Sequence, residues 1–264
     1  MKTATSAAQS PASAVPAVDR VIAGLTETVV GELTPGAQLP SEGQLAEDYG
    51  VSRLTVREAV KVLAGRGLLE LSRGRRAVVR EPDGAILGDF LSAVLKHDPK
   101  GLFDLIEVRQ ALEIHSAQLS AKRKNKASLA AIEAAMQGMR EAATELKRGW
   151  NASVEARFHE YDAGFHGALA LASGNRMLSY LLEAMADPLR QSFHLSMQGH
   201  RLRGHTPEDT IAAHDLVLDR VRAGDARGAG QAMRQHLRDS ERDIRAAQNA
   251  RLSVTMTPSG RRKK

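Results

Sequence analysis

Apolar positions along the chain fall into two regimes. From Val18 they recur at Val21, Ile22, Leu25, Val29 and Leu33, the spacing of one helix face, until "TPG" at 34–36 stops the pattern. Ser41 and Gln44 then stand three apart, so the serine can cap a helical amide while the glutamine reaches back. A short helix over 41–49 follows, ended by Gly50. Ser52 caps a second helix, on which Val56, Ala59, Val60 and Leu63 form the core face. Arg53, Arg57 and Lys61, spaced by four, project together from another face. Beyond Gly67, "LLEL" and "AVV" read as two strands around the basic hairpin "SRGRR". Two short helices joined by a glycine turn make a helix-turn-helix, whose second helix suits a DNA major groove; the hairpin is then a wing that sets Arg73, Arg75 and Arg76 near phosphates or the minor groove. After "EPDGA" the pattern is helical to residue 250. Breaks fall near 97–101, 123–127, 148–152, 173–175, 203–207 and 223–225, with Thr206 and Pro207 placed to begin a helix. Six or seven helices and no strand are expected there. The predicted fold is mainly α, an N-terminal winged helix-turn-helix followed by a C-terminal all-α bundle.

Composition narrows what these elements can do. The 264 residues are 42% apolar, enough for two small domains. There is no cysteine, which removes disulfides and thiolate ligands and leaves carboxylates and the nine histidines as the strong ligands. No apolar run approaches the roughly 20 residues of a membrane span, and the N-terminus lacks a signal-peptide core; a soluble, cytoplasmic protein without a membrane partner is expected. The net charge is +6 and the pI about 9.8. Its distribution matters more than its size. Residues 17–50 hold one basic residue against six acids, whereas residues 51–80 hold eight against two, a local balance of +6 that begins where the second capped helix begins. Residues 1–16, rich in Ala, Ser and Pro, and the basic tail 251–264 are expected to be disordered, with a nucleic-acid role for the tail left open.

The stretch "LPSEGQLAEDYGVSRLTVREAVKVLAGRGLLELSRGR" resembles the winged-helix domain of GntR-type bacterial transcription regulators, and the likeness covers roughly residues 18–81. It implies that Arg53, Thr55 and Arg57 read the groove of double-stranded operator DNA, with Arg73 and Gly74 at the wing tip and Arg75 beside them. Two positions depart from the family pattern. Gly43 stands where a DNA-contacting arginine is usual, and Leu54 replaces a small polar residue.

In the helical half, "HEYDAGFH" (159–166) sets Asp162 and His166 four apart on one helix face; His214 and His236 lie on later helices. Three helices can bring one carboxylate and three imidazoles to a point, a set that suits a divalent metal, zinc first and nickel or manganese otherwise. Spacing alone leaves a metal role and an ordinary solvated or core role both open, and it leaves His159 on the same stripe. "YDAGFHGALALASGN", "AHDLVLDRVRAGDARGA" and "AMRQHL" are similar to the FCD domain of the FadR subfamily, over about 85–245. That resemblance implies that Asp162, His166, His214 and His236 are the metal ligands. The residue before His214, usually glutamate, is Ala213. "LFDLIEVRQALE" resembles the domain's first long helix, which implies that Arg109 points into the cavity and grips a small carboxylate effector; an ion pair with Glu113 or Glu107 is the alternative. Arg190 is a second effector candidate, and Asn175 reads as a cap.

A metal-dependent hydrolase or lyase on the same cluster is the rival class. The zinc-protease pattern HExxH would need its second histidine at Ala163, no G-x-S-x-G elbow is present, and Glu160 lies on the wrong side of the helix to serve as base. The reading is therefore a DNA-binding regulator, a repressor acting as a homodimer. Its segments are 17–81 for DNA, 82–85 as linker and 86–250 for effector, metal and dimerisation.

Overall fold

A computed structural model describes residues 15–98, 100–123 and 125–255. They fall into two compact units that divide after Pro82.

The first unit contains α1 (Ala17–Gly31), α2 (Glu42–Tyr49), α3 (Arg53–Gly65), β1 (Leu69–Glu70) and β2 (Val78–Val79). α1 buries Val21, Leu25 and Val29; α3 buries Val56, Ala59, Val60 and Leu63, and the two faces share one core with Leu39, Leu69 and Val79. The turn between α2 and α3 is set by local chemistry. Gly50, at φ +64, takes the left-handed conformation that ends α2, and its amide bonds back to Ala46 and Glu47. Ser41 Oγ accepts the Gln44 amide at 3.2 Å and Ser52 Oγ the Thr55 amide at 3.1 Å. Among the described residues the 41–44 pair is one-sided, with no return bond from the Gln44 side chain. The strands pair antiparallel in the register Leu69↔Val79 and Glu70↔Val78, and Gln38 adds a bridge to Val78.

The second unit is helical throughout its described residues: α4 (Ala85–His97), α5 (Gly101–Arg123), α6 (Lys126–Arg148), α7 (Ala152–Ala172), α8 (Arg176–Ala186), α9 (Arg190–Leu202), α10 (Pro207–Ala223) and α11 (Ala226–Thr255). These eight helices exceed the six or seven expected, because a further break at Asp187–Leu189, around Pro188, separates α8 from α9. Two expected boundaries also shift. Ala85, read as linker, is the first residue of α4, and α11 runs five residues past 250 because no Gly or Pro intervenes before Pro258. Residues 1–14 and 256–264 lie outside the described residues, and with them most of the two segments expected to be disordered.

Asn125, Asn151 and Asn175 each cap the helix that follows, their Oδ1 accepting two amides. Thr206 and Asp209 form a reciprocal capping box ahead of Pro207. α5, α6, α7, α10 and α11 enclose the main core, which includes Ile132, Met136, Met139, Phe158, Phe165, Leu169, Leu218 and Met233. A smaller cluster with Leu105, Ile106, Met185, Leu189 and Ile244 joins α5, α8, α9 and α11. α5 is central, packing on α7, α8, α10 and α11. It buries Arg109 and Glu113 alongside apolar residues, while Ser116 and Ser120 satisfy their hydroxyls on backbone carbonyls. A buried charged pair on this central helix marks where the interior is polar. Among the described residues no helix is long and apolar enough to cross a membrane.

Candidate functional site

In the first unit, a groove bounded by α2, α3 and the hairpin is lined by five cations: Arg53, Arg57, Lys61, Arg75 and Arg76. Arg57 is held there by Glu42. Its Nε donates to both carboxylate oxygens at 3.1 Å and its Nη2 to Oε2 at 2.7 Å. That hydrogen bond, with the Arg57 charge, holds the Glu42 carboxyl below its ordinary range. Arg53 lies over the bare backbone of Gly43, where a Cβ would come 3.2 Å from its Nη2. The guanidinium thus occupies space a side chain at 43 would claim. Thr55 is half-buried, its hydroxyl 2.9 Å from Ser52 Oγ, so it serves the cap. Leu54 is exposed. Gly74, at φ +73, turns the hairpin with the Arg75 amide donating to the Ser72 carbonyl, and Arg73 is exposed but outside the groove.

In the second unit, α7, α10 and α11 bring His166, His214 and His236 together. His166 Nε2 stands 3.3 Å from His214 Nε2 and 3.4 Å from His236 Nε2. Asp162 Oδ1 is 3.3 Å from His214 Nε2. The far nitrogens are already engaged: His214 Nδ1 donates to the Thr210 carbonyl at 2.8 Å, and His166 Nδ1 meets Glu113 Oε2. With its Nδ1 proton so used, His214 turns the Nε2 lone pair toward His166. Burial, reinforced by the neighbouring imidazoles, pushes the His236 pKa well below its ordinary value; burial likewise lowers that of His214 against the pull of Asp162. Ring nitrogens converging on one point are stabilised by a cation held between them. Donors around a tetrahedral ion with bonds of about 2.0–2.1 Å stand ~3.3 Å apart, which matches the spacing here. The residues present therefore fit a divalent metal.

Glu113 is the member that sequence reasoning placed only as an alternative partner for Arg109. Its two oxygens bridge Arg109 Nε and His166 Nδ1. Burial alone would raise its pKa, but the Arg109 and His166 charges and their hydrogen bonds overturn this and hold it at about 2. The i, i+4 spacing of 109 and 113 carried the signal; the second link, to His166 on another helix, is tertiary. Arg109 also stacks on Phe193, its Cζ 5.0 Å from the ring centroid. Arg109 is ion-paired with Glu113 through Nε, the alternative its helical spacing offered, and it also lines the cavity described next.

That cavity, about 250 Å³, opens beside the histidines and is lined by Arg109, His159, Asp162, His166, Ala213 and His236, among others. Ala213, next to the ligand candidate His214 in sequence, gives this wall only a methyl group. A second, more apolar cavity of about 380 Å³ lies beyond Arg109, His166 and Phe193. On the wall of the first, His200 donates from Nδ1 to Asp243 at 2.8 Å and from Nε2 to the Thr206 carbonyl at 2.9 Å; burial disfavours its charge, but these acceptors raise its pKa. Arg190 does not reach either cavity. It is exposed and pairs with Asp187 three residues back, because the Pro188 break turns the start of α9 outward. Asn175 is a helix cap, as expected.

Comparison with known proteins covers both units. The FCD domain family matches residues 104–239, and the family described as bacterial regulatory proteins, gntR family, matches residues 18–79. A similar relative is the HTH-type transcriptional regulator LutR of Bacillus subtilis, 32% identical over 212 residues, spanning 80% of this chain and 93% of that one. Another is the galactonate operon transcriptional repressor of Escherichia coli, 30% identical, spanning 86% and 96%. Among solved structures, Streptococcus agalactiae GntR superposes with a TM-score of 0.68 at 26% identity, over 85% of this chain and 99% of that one.

Proposed function

Given that the chain belongs to the GntR family of transcription regulators, with an FCD domain in its helical unit, and so is a DNA-binding regulator and not an enzyme, we propose that it is a repressor whose hold on its operator is set by a small organic acid bound at a divalent metal. The observation that carries the proposal is the convergence of His166, His214 and His236 beside Asp162, on the wall of a cavity that Arg109 shares.

Asp162 and the three imidazoles would hold the ion, zinc by the nature of the donor set and nickel or manganese as alternatives. When bound it supplies a Lewis-acid site for an acid's oxygen. The protein's own residues do the rest. Glu113 fixes the His166 ring and takes Arg109 Nε, which leaves the two Nη groups to grip a carboxylate with parallel hydrogen bonds. Phe193 holds the guanidinium plane in place. On the DNA side, Arg53, Arg57 and the wing arginines face a duplex, and two copies of the chain read an approximately two-fold operator as a homodimer. The repressor sense follows the galactonate operon repressor among its relatives. Ligand and operator are linked reciprocally, so an acid that releases DNA binds the free protein more tightly.

The test is thermal unfolding against sugar acids, hydroxy acids, dicarboxylates and fatty acids, with and without chelator. A carboxylate that raises the midpoint only in metal-loaded protein, and lowers operator affinity, is the expected result. Equal shifts with and without metal would overturn the metal-held acid.

A further inference from the structure

The same helical unit carries a second set of ligand-type atoms that the four-residue centre does not use. Glu155 and His159 stand four apart on α7 and share a face; His194 approaches from α9. One ligand atom from each lies within 4.8 Å of the other two. Glu155 is buried, His159 partly buried and His194 exposed. His159 Nε2 is closed off from solvent yet has no hydrogen-bond partner among the described residues. Its nearest carboxylate oxygen, Glu155 Oε1, is 3.9 Å away, beyond hydrogen-bond reach. A buried ring nitrogen facing a carboxylate at that distance lacks something between them.

The carboxylate is oriented from outside. Trp150 Nε1 donates to Glu155 Oε2 at 2.6 Å, which leaves Oε1 toward the imidazole and toward the half-exposed Arg201, whose Nη1 is 3.4 Å away. An outer hydrogen bond on the unused oxygen is how metal-binding carboxylates are commonly held. Imidazole nitrogens and carboxylate oxygens bind zinc at about 2.0–2.2 Å, so neighbouring donors stand ~3.3 Å apart, about half an ångström closer than Oε1 and Nε2 do now. Small side-chain rotations of Glu155 and His159 close that gap, the exposed His194 turns in to complete the set, and Arg201 withdraws into solvent, all without moving a helix. Two nitrogens and one oxygen favour a borderline transition metal over magnesium or calcium.

We propose that Glu155, His159 and His194 bind a second divalent ion of the zinc type beside the cavity, distinct from the centre at His166, His214 and His236. The ion ties α7 to α9. Phe193, the ring beneath Arg109, is the neighbour of His194 in sequence, so filling this site sets the position of the effector-gripping guanidinium.

The experiment is the zinc content of untagged, full-length protein by elemental analysis, repeated with cobalt for its visible absorption. Wild type is expected to hold two ions per chain and His194→Ala one, with the fold checked by circular dichroism; the exposed position of His194 makes that variant safe for folding. His236→Gln probes the other centre. One ion in wild type that survives His194→Ala and is lost in His236→Gln overturns the second site and leaves the first. One ion lost in His194→Ala and kept in His236→Gln supports the second site and removes the first. No ion in wild type overturns both.

Discussion

Replacing Glu113 by glutamine removes one charge from the centre of the helical unit while keeping its shape. The carboxylate offers one oxygen to Arg109 Nε and the other to His166 Nδ1. An amide has a single acceptor, so one of those donors must then face an N–H group. The electrostatic share follows from the Glu113 pKa, held at about 2 against an ordinary 4.5. At about 1.4 kcal/mol per pH unit that gap is worth roughly 3 kcal/mol, in line with the ~3–5 kcal/mol lost when one partner of a buried pair is removed. Because the folded-state pKa is depressed, this stability is present above pH 4.5 and is lost as the pH falls through about 2. The assay is urea unfolding followed by the emission of Trp150, the sole tryptophan, which lies in the helical unit and bonds to Glu155. Glu113→Gln should be less stable than wild type by roughly 3 kcal/mol at pH 7, with the difference shrinking below pH 4.5. Zinc affinity should fall about 10- to 100-fold as His166 loses its carboxylate partner. Unfolding free energies equal within about 0.5 kcal/mol at pH 7, or a difference that persists unchanged into acid, would refute the argument.

Arg57→Ala should weaken operator binding by about 1–3 kcal/mol if the side chain reads a base with two hydrogen bonds; unchanged anisotropy titrations would remove it from the reading set. Arg109→Ala should abolish the response to acids while zinc content stays, whereas Arg190→Ala, exposed on α9, should leave the response intact. A normal response from Arg109→Ala would take that residue out of the pocket. At Gly199 a Cβ would stand 1.7 Å from the Asp243 carbonyl oxygen, so Gly199→Ala must push α9 from α11 and should cost at least about 1–3 kcal/mol in the Trp150 transition. An unshifted midpoint would show that α9 yields freely.

Where a residue's role is local, the sequence carried it. The α2–α3 turn was legible because Ser41, Gly50 and Ser52 act on amides within a few positions, and Asn175 and Thr206 likewise announced their helix starts. Pro188 also marked a break, but its neighbours kept a helical spacing and the α8–α9 boundary went unread. The cluster of His166, His214 and His236 was legible only through resemblance, since nothing in spacing specifies which faces of α7, α10 and α11 meet. Glu113 shows the limit. Its bond to Arg109 is local and was considered; its bond to His166 spans 53 positions and depends on how α5 packs against α7. Arg190 failed for the opposite reason. Membership of a cavity-bordering helix does not say which way the first residue of that helix points.

The Glu42–Arg57 clamp bears on how the protein searches a genome. A guanidinium that already holds a carboxylate by three contacts gains little from a lone phosphate, and capturing it leaves Glu42 facing a polyanion. On the proposed reading set, random duplex would be bound chiefly by the groove's other cations, weakly and with strong salt dependence. A base edge with two acceptors offers Arg57 a replacement of equal geometry. On this view the clamp lowers the lifetime of wrong encounters more than that of right ones. Glu42 then acts as a discriminator that never touches the sequence being read, and its removal would leave a protein that grips tightly but dwells in the wrong places.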